Sequence, residues 1–309
     1  MKARMKSFTA GLFVVVMALV FSAMTVSAQK LIWDLHLNET RGPLRSADMS
    51  APSGKVAQSE ILGGPTNGSD NGYLIYTKMA PGARGPALFT VPVEDDYVVL
   101  TGKMTVQIGT DKFVAGPYTG VVIPANTPHA VWNAESEPES NFEVLSSADP
   151  HKDLSRDLMS MLKPAHATKV EDAQKCIREI KFLAPSELKP SLNGQNYTGR
   201  AKGSPIQMRL DSAPEGSGNT RPHVHIFEQV YFGTEGDMKI DYGLETLVLK
   251  KGDIAIIQPG VLHDNAATST VERHITLLLP EPPPGGQPFD IEFQRVQRPA
   301  QGAAAPANR

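Results

Sequence analysis

Three histidines and one glutamine stand where they can share a cation. The segment Arg221-Pro-His-Val-His-Ile-Phe-Glu-Gln-Val-Tyr231 sets His223 and His225 two residues apart, and Pro259-Gly-Val-Leu-His263 follows about thirty residues later. On a strand, side chains at i and i+2 leave on the same face, so His223 and His225 can aim at one point. Gln229 shares their parity. Glu228 faces away while the strand stays regular, and becomes an alternative ligand if the chain bulges after His225. Imidazoles on adjacent strands of a closed sheet can converge inside a barrel. Three neutral imidazoles and one amide oxygen suit iron, manganese, nickel, copper or zinc. Tyr231 has the parity to line the same space as a proton donor, with core packing as its other reading. Arg221 could pair with a substrate carboxylate, or lie on the surface. His274 reads as a surface residue. His36, His151 and His166 have no partner pattern.

The elements that must position these side chains are strands. From Tyr73 onward, short apolar runs such as Tyr97-Val-Val-Leu100, Met104-Thr-Val-Gln-Ile108 and Gly120-Val-Val-Ile123 alternate with turn residues. The pattern returns from Ile206 through Ile275-Thr-Leu-Leu-Leu279. This is an antiparallel arrangement, not a βαβ alternation. Between the two blocks, Leu154, Leu158, Met161 and Leu162 recur at helical spacing, and Val170, Gln174, Ile177 and Ile180 follow. One or two short helices are expected there, bounded by Pro164, Pro185 and Pro190. The blocks echo each other: Val122-Ile-Pro-Ala-Asn-Thr-Pro-His129 parallels Ile257-Gln-Pro-Gly-Val-Leu-His263. A strand unit repeated over more than a hundred residues implies a duplicated domain. The expected organisation is an irregular arm at 29–70, a first domain at 71–149, a helical linker at 150–195, a second domain at 196–282, and a partly disordered Pro/Ala-rich tail at 283–309.

Residues 1–28 read as a secretory signal. Lys2, Arg4 and Lys6 precede the apolar run Phe8 to Val26, and Val26-Ser27-Ala28 supplies small residues for cleavage after Ala28. An uncleaved anchor is the competing reading, because the run is about long enough to span a bilayer. Cleavage removes three of the 30 basic residues and none of the 33 acidic ones, moving the formal charge from −3 to −6. A mildly acidic chain without a basic stripe offers nothing to nucleic acid or to an anionic membrane. The single cysteine, Cys176, cannot form an internal disulfide, so a secreted or periplasmic protein of this kind must be held by its core, with or without metal.

The histidine segment resembles the first motif of the cupin superfamily: Gly, five residues, His-x-His, three or four residues, Glu or Gln, six residues, Gly. Here His223, His225, Gln229 and Gly236 fit, with Gly216 and Gly218 straddling the place of the leading glycine. The second motif, Gly, five residues, Pro-x-Gly-x-x-His, is matched by Gly252, Gly260 and His263, with Gln258 in place of the first proline. The resemblance implies an all-β fold of two cupin jelly-roll β-barrels joined by a short helical linker, a bicupin. It implies one divalent transition metal, iron or manganese before nickel, copper or zinc, held by His223, His225, Gln229 and His263. In the same frame, the ligand positions of the first block fall on Phe89, Val91 and Asp95, and only His129 survives, with Asn133 at the family's usual Asn position. No metal is expected there, and His129 becomes a structural or pocket residue.

Gln for Glu leaves the donor set neutral, which favours an anionic or enolisable ligand at an open metal position. The resemblance is nearest to quercetin-dioxygenase-like cupins. The implied activity is oxygenation of a small phenolic, enolic or carboxylate molecule. A non-oxidative lyase or isomerase, or a non-catalytic small-ligand-binding bicupin, are the alternatives. Pairing of two copies into a homodimer through the sheets is a further implication of the family.

Overall fold

The computed structural model describes residues 44–283 and the two-residue strand Ile291–Glu292. The signal segment, residues 29–43 of the N-terminal arm and nearly all of the tail lie outside the described residues. The described chain is almost entirely antiparallel strand, arranged as four sheets in two pairs. No helix among the described residues is long and apolar enough to cross a membrane.

The first pair comprises a six-stranded sheet and a five-stranded sheet. The six-stranded sheet runs Ile177–Arg178, Gly120–Ile123, Glu94–Thr101, Glu139–Ser146, Gly72–Met79 and Gln58–Gly63. The five-stranded sheet runs Lys163–Pro164, Phe89–Thr90, His129–Trp132, Met104–Ile108 and Asp111–Ala115. The second pair repeats the plan. Its six strands run Leu44–Ser46, Asp253–Ile257, Glu228–Glu235, Val271–Leu279, Gln207–Pro214 and Asn193–Thr198, and its five run Glu245–Leu249, Met238–Tyr242, His263–Ala267, His223–Val224 and Ile291–Glu292.

The period of two explains why the central strands read as nearly continuous apolar runs. In Glu94–Thr101, Tyr97 and Val99 point into the first barrel, where they meet Met104, Val106, Ile108 and Val131 of the opposite sheet. Val98 and Leu100 point the other way, into an apolar cluster shared with the second barrel. Glu228–Glu235 does the same: Tyr231 packs inside with Met238 and Ile240, while Val230 and Phe232 enter the shared cluster. The two six-stranded sheets are thus packed back to back. Phe142 and Phe232 stack across that junction with centroids 4.5 Å apart and planes at 16°.

Two segments expected to be irregular or helical are partly strand. Within the arm, Leu44–Ser46 pairs with Asp253–Ile257 in the second barrel's sheet, and Gln58–Gly63 pairs with Gly72–Met79 in the first. The linker contains two one-turn helices, Pro150–Asp153 and Leu158–Met161, and three short 3₁₀ turns lie at Ala173–Cys176, Pro185–Glu187 and Arg200–Lys202. Lys163–Pro164 and Ile177–Arg178 add edge strands to the first barrel. Its apolar residues nonetheless serve packing: Leu154, Leu158, Met161 and Leu162 cover one end of the first barrel beside Tyr73, Ile75 and Phe89. Cys176 is buried in that barrel's core. In the tail, Ile291–Glu292 pairs with His223–Val224.

The duplication extends to single hydrogen bonds. Gly252 N donates to Gly233 O (2.8 Å), and at the matching place Tyr118 N donates to Val99 O (2.7 Å). Gly260 N donates to His225 O (2.8 Å), and Asn126 N to Val91 O (2.7 Å). Gly252 and Gly260 have φ of 84° and 79°; Tyr118 and Asn126 hold the same left-handed conformation at 60° and 61°. Asn tolerates this region and Tyr does not readily, so the first barrel holds the same turn geometry without glycine.

Two outcomes are expected. Phe142→Ala and Phe232→Ala should each destabilise the protein by about 3–5 kcal/mol, and the double variant by less than the two together, because the rings are in contact; denaturant unfolding of the four proteins measures this. Glu139, which lies inside the first barrel, accepts from Asn141 Nδ2 at 2.9 Å and has no partner for Oε2. Burial raises its pKa from 4.5 to about 8. The folded state therefore holds a proton that the unfolded state has released, and stability contributed by this group falls as pH rises from about 4.5 to about 8, with a slope of at most about 1.4 kcal/mol per pH unit. Glu139→Gln should flatten that slope and leave the protein more stable than wild type at alkaline pH.

Candidate metal centre

Antiparallel pairing sets His223 directly opposite His263. Beyond Val224 the chain leaves the ladder, and Gly260, from the turn before His263, donates to the carbonyl of His225. One turn therefore fixes both His225 and His263. The three imidazoles are buried, and one nitrogen of each lies within 4.8 Å of the others. Two metal–nitrogen bonds of ~2.1 Å span about 4.2 Å, so the triad is close to the span of a shared ion.

Each imidazole is held the same way. His223 Nδ1 lies 2.9 Å from Arg221 O, His225 Nδ1 2.7 Å from Phe227 O, and His263 Nδ1 2.9 Å from Val261 O. A carbonyl only accepts, so each Nδ1 carries the proton and each Nε2 presents a lone pair. Burial pushes the His263 pKa down to about 3, with the neighbouring His223 and His225 adding to the effect, so this ring is neutral over the physiological range. His225 is further fixed by stacking on Phe227, centroids 4.1 Å apart and planes at 7°.

Gln229 enters from the facing sheet. Its Oε1 lies 2.9 Å from His225 Nε2 and 3.0 Å from His263 Nε2. With the Nδ1 protons committed to carbonyls, these are acceptor-to-acceptor approaches. A cation between them satisfies every lone pair; without one, the amide can turn over and donate its N–H groups to the rings. The donor set therefore fits a divalent transition metal.

Glu228 is not part of this group. Its side chain leaves on the opposite face, where Ser69 Oγ donates at 2.5 Å, the Asp70 N–H at 3.2 Å, and Asn71 Nδ2 and Gln258 Nε2 at 3.3 and 3.4 Å. Burial raises its pKa to about 7 against those hydrogen bonds. The alternative of Glu228 as ligand is thus excluded by strand parity. Tyr231 is buried on the face of Gln229, and Asn265 Nδ2 donates to its hydroxyl at 2.9 Å. The Arg221 side chain is exposed, while its carbonyl orients His223.

His274 is not on the surface. It is fully buried, edge-on to Tyr231 with centroids 5.0 Å apart, and Nδ1 lies 2.8 Å from Glu272 Oε1. Burial opposes its charge, but Glu272 and Asp211 outweigh this and raise its pKa. Asn219, with Nδ2 3.2 Å from His223 Nε2, was also not singled out in the sequence. Parity could have found His274 and Asn265: each lies an even number of residues from an inward-facing neighbour on its own strand. Nothing local marks Asn219, which precedes the strand.

The first barrel shows what the same frame looks like without the imidazoles. Phe89 pairs with His129 as His223 pairs with His263, and both ring pairs have centroids 4.2 Å apart. His129 Nδ1 lies 2.8 Å from Thr127 O and Nε2 3.0 Å from Asp95 Oδ2, so Asp95 takes the place of Gln229. No other group of three or more His, Cys, Asp or Glu suited to a metal occurs among the described residues.

Residues 210–277 match the family model of the cupin domain. The fold is the cupin fold. Solved structures with the same architecture span most of the chain. AerE from Microcystis aeruginosa is 18% identical with a TM-score of 0.53, over 76% of this chain and 96% of its own. Salicylate 1,2-dioxygenase from Pseudoaminobacter salicylatoxidans, in adducts with gentisate, is 14% identical with a TM-score of 0.55, over 79% and 78%. An oxalate decarboxylase is 14% identical with a TM-score of 0.56, over 81% and 79%. No curated protein sequence matches the chain.

Because the two carboxamide and carboxylate neighbours leave on opposite faces of the cupin strand, their substitutions should separate. Gln229→Ala should weaken metal affinity about tenfold or more, whereas Glu228→Gln should leave it unchanged. Elemental analysis after dialysis against limiting iron or manganese measures both.

Proposed function

We propose that the chain is an exported bicupin enzyme in which His223, His225, Gln229 and His263 hold one divalent iron or manganese ion, and that it acts as an oxygenase on a small phenolic, enolic or carboxylate molecule. The observation that carries the reading is the convergence of three buried imidazole Nε2 atoms, each with its Nδ1 committed to a backbone carbonyl, with the Gln229 amide oxygen placed between two of them. A divalent ion held there supplies a Lewis-acid centre, and iron adds one-electron chemistry with dioxygen.

The protein's own contribution is orientation and charge. Four neutral donors leave the dication uncompensated, which selects an anionic or enolisable ligand over a neutral one. The carbonyls of Arg221, Phe227 and Val261 keep the rings in one tautomer and one orientation. In this reading Tyr231, on the Gln229 face, holds a proton near bound substrate, and the exposed Arg221 pairs with a substrate carboxylate. The dioxygenase and decarboxylase among the structures of this fold support small oxygen-rich substrates as a class. A non-oxidative lyase or isomerase reaction is the second reading, favoured by the same uncompensated charge. Export rests on the basic, apolar and small-residue pattern of residues 1–28 and agrees with a chain whose one cysteine is buried in a core.

The test compares two histidines. His225→Ala should abolish metal binding and any turnover, and His129→Ala should leave metal content at the wild-type level. Oxygen consumption by the iron-loaded protein with a panel of phenols, β-diketones and hydroxybenzoates then separates the readings. Turnover with oxygen uptake supports the oxygenase, turnover without it the lyase or isomerase, and equal loss of metal in the two variants defeats the single-site assignment.

A further inference from the structure

Inside the first barrel, next to the surviving His129, lies a separate cavity of about 260 Å³. Ile75, Phe89 and Leu145 give it an apolar wall, and Leu158 and Leu162 of the linker close over it. Tyr97, Asn141 and Glu143 give it a polar end, and Ser59 and Thr77, hydrogen-bonded to each other at 2.8 Å, add hydroxyls to its lining. Phe89 stands where the second barrel has His223, so an apolar ring forms a wall here in place of an imidazole.

The polar end has more acceptors than donors. Asn141 is fully buried; its Nδ2 donates to Glu139 Oε1 at 2.9 Å, and its Oδ1 has no partner. The single hydroxyl proton of Tyr97 serves two carboxyl groups, Asp95 Oδ2 at 3.1 Å and Glu143 Oε1 at 3.3 Å. Asp95 is fully buried, and its Oδ1 has no partner either. No lysine or arginine lines the cavity. A buried acceptor without a donor is destabilising, and a donor brought by a ligand recovers that cost.

We propose that this cavity is a second small-molecule site, and that it takes a compact primary amine with an aromatic or branched aliphatic body. The ammonium group would donate to Glu143 and Asn141 Oδ1, and the body would pack on Phe89, Ile75 and Leu145. Aromatic faces of Phe89 and Tyr97 favour a cation further. The size agrees: an apolar cavity of about 150 Å³ admits benzene, so 260 Å³ holds a ring with a short arm. Burial, and then the charge of Asp95, raise the Glu143 pKa well above the carboxylate range, so Glu143 holds a proton without the amine and releases it to solvent when the ammonium takes that proton's place. The groups facing Glu143 are Asp95 and Tyr97, and neither is a cation that would compete with an amine.

Isothermal titration of the mature protein with phenethylamine, cyclohexylmethylamine and isoamylamine tests this, with phenylacetate and 2-phenylethanol as comparators. At least one amine should bind in one-to-one ratio and more tightly than both comparators. Glu143→Gln should weaken it by about tenfold or more, and His225→Ala should bind it as wild type does, which separates this site from the metal centre. Failure of all three amines, equal binding of the alcohol or the acid, or unchanged affinity in Glu143→Gln would each overturn the proposal. Crystals grown with phenethylamine give an independent readout: its nitrogen within hydrogen-bond reach of Glu143 and Asn141 supports the site, and density confined to other places rejects it.

Discussion

Along Glu228–Glu235 every second side chain meets a different environment, and the alternation cannot slip. Gln229 and Tyr231 face the barrel interior, where they meet the imidazoles and Asn265. Glu228, Val230 and Phe232 face outward, the latter two into the apolar junction between the barrels. A register shift of one residue would put Glu228 or Val230 in the place of Gln229 beside the imidazoles, and would turn the Gln229 amide into the apolar junction without a partner. The junction is therefore part of the site: the stacking of Phe142 on Phe232 locks the strand whose other face carries the ligand.

Comparison of the barrels separates what positions a metal from what binds it. The positioning parts are backbone. Both barrels retain the left-handed turn before the last histidine, the amide that reaches across from it, and the Nδ1 contact to the carbonyl two residues earlier. The binding parts are side chains, and in the first barrel Phe89, Val91 and Asp95 have replaced His, His and an amide. The consequence is electrostatic as much as steric. Asp95, Glu139 and Glu143 lie within a barrel that offers them one imidazole, one phenol and one amide as partners, and burial raises the pKa of Glu139 and Glu143 accordingly. The first barrel thus gathers buried carboxyl groups without a cation among their partners.

Much of this was legible in the residues, and the failures have physical causes. His223, His225, Gln229 and His263 could be placed together because strand parity and the Pro-Gly turn constrain side-chain direction independently of long-range contacts. The empty ligand frame of the first barrel was readable for the same reason, because Phe89, Val91 and Asp95 keep the spacing of His223, His225 and Gln229. The arm strand Leu44–Ser46 was not, since three residues carry no period and their partner, Asp253–Ile257, lies more than two hundred residues away. The linker misled in a different way. Leu154, Leu158, Met161 and Leu162 do form an apolar patch, but they use it against the barrel end through single turns, with Pro164 already committed to an edge strand.

His274 marks the limit of reading charge as exposure. A histidine between Arg273 and Ile275 on a last strand looks like a surface residue, yet it is Arg273 and His274 that are both buried. Arg273 spans the junction side, donating to Leu183 O at 2.8 Å and lying over the Phe182 ring, so the linker is pinned to the second barrel by a guanidinium. His274 takes the interior face with Glu272, Asp211 and Thr276, and touches Tyr231 edge-on. Polar residues thus continue from the histidine triad into the barrel through Tyr231, in a space that an ordinary core would fill with aliphatic side chains. Such a network is costly unless nearly every member is satisfied, and its persistence beside the four converging donors argues that this barrel's interior is organised around the polar centre and not around packing alone.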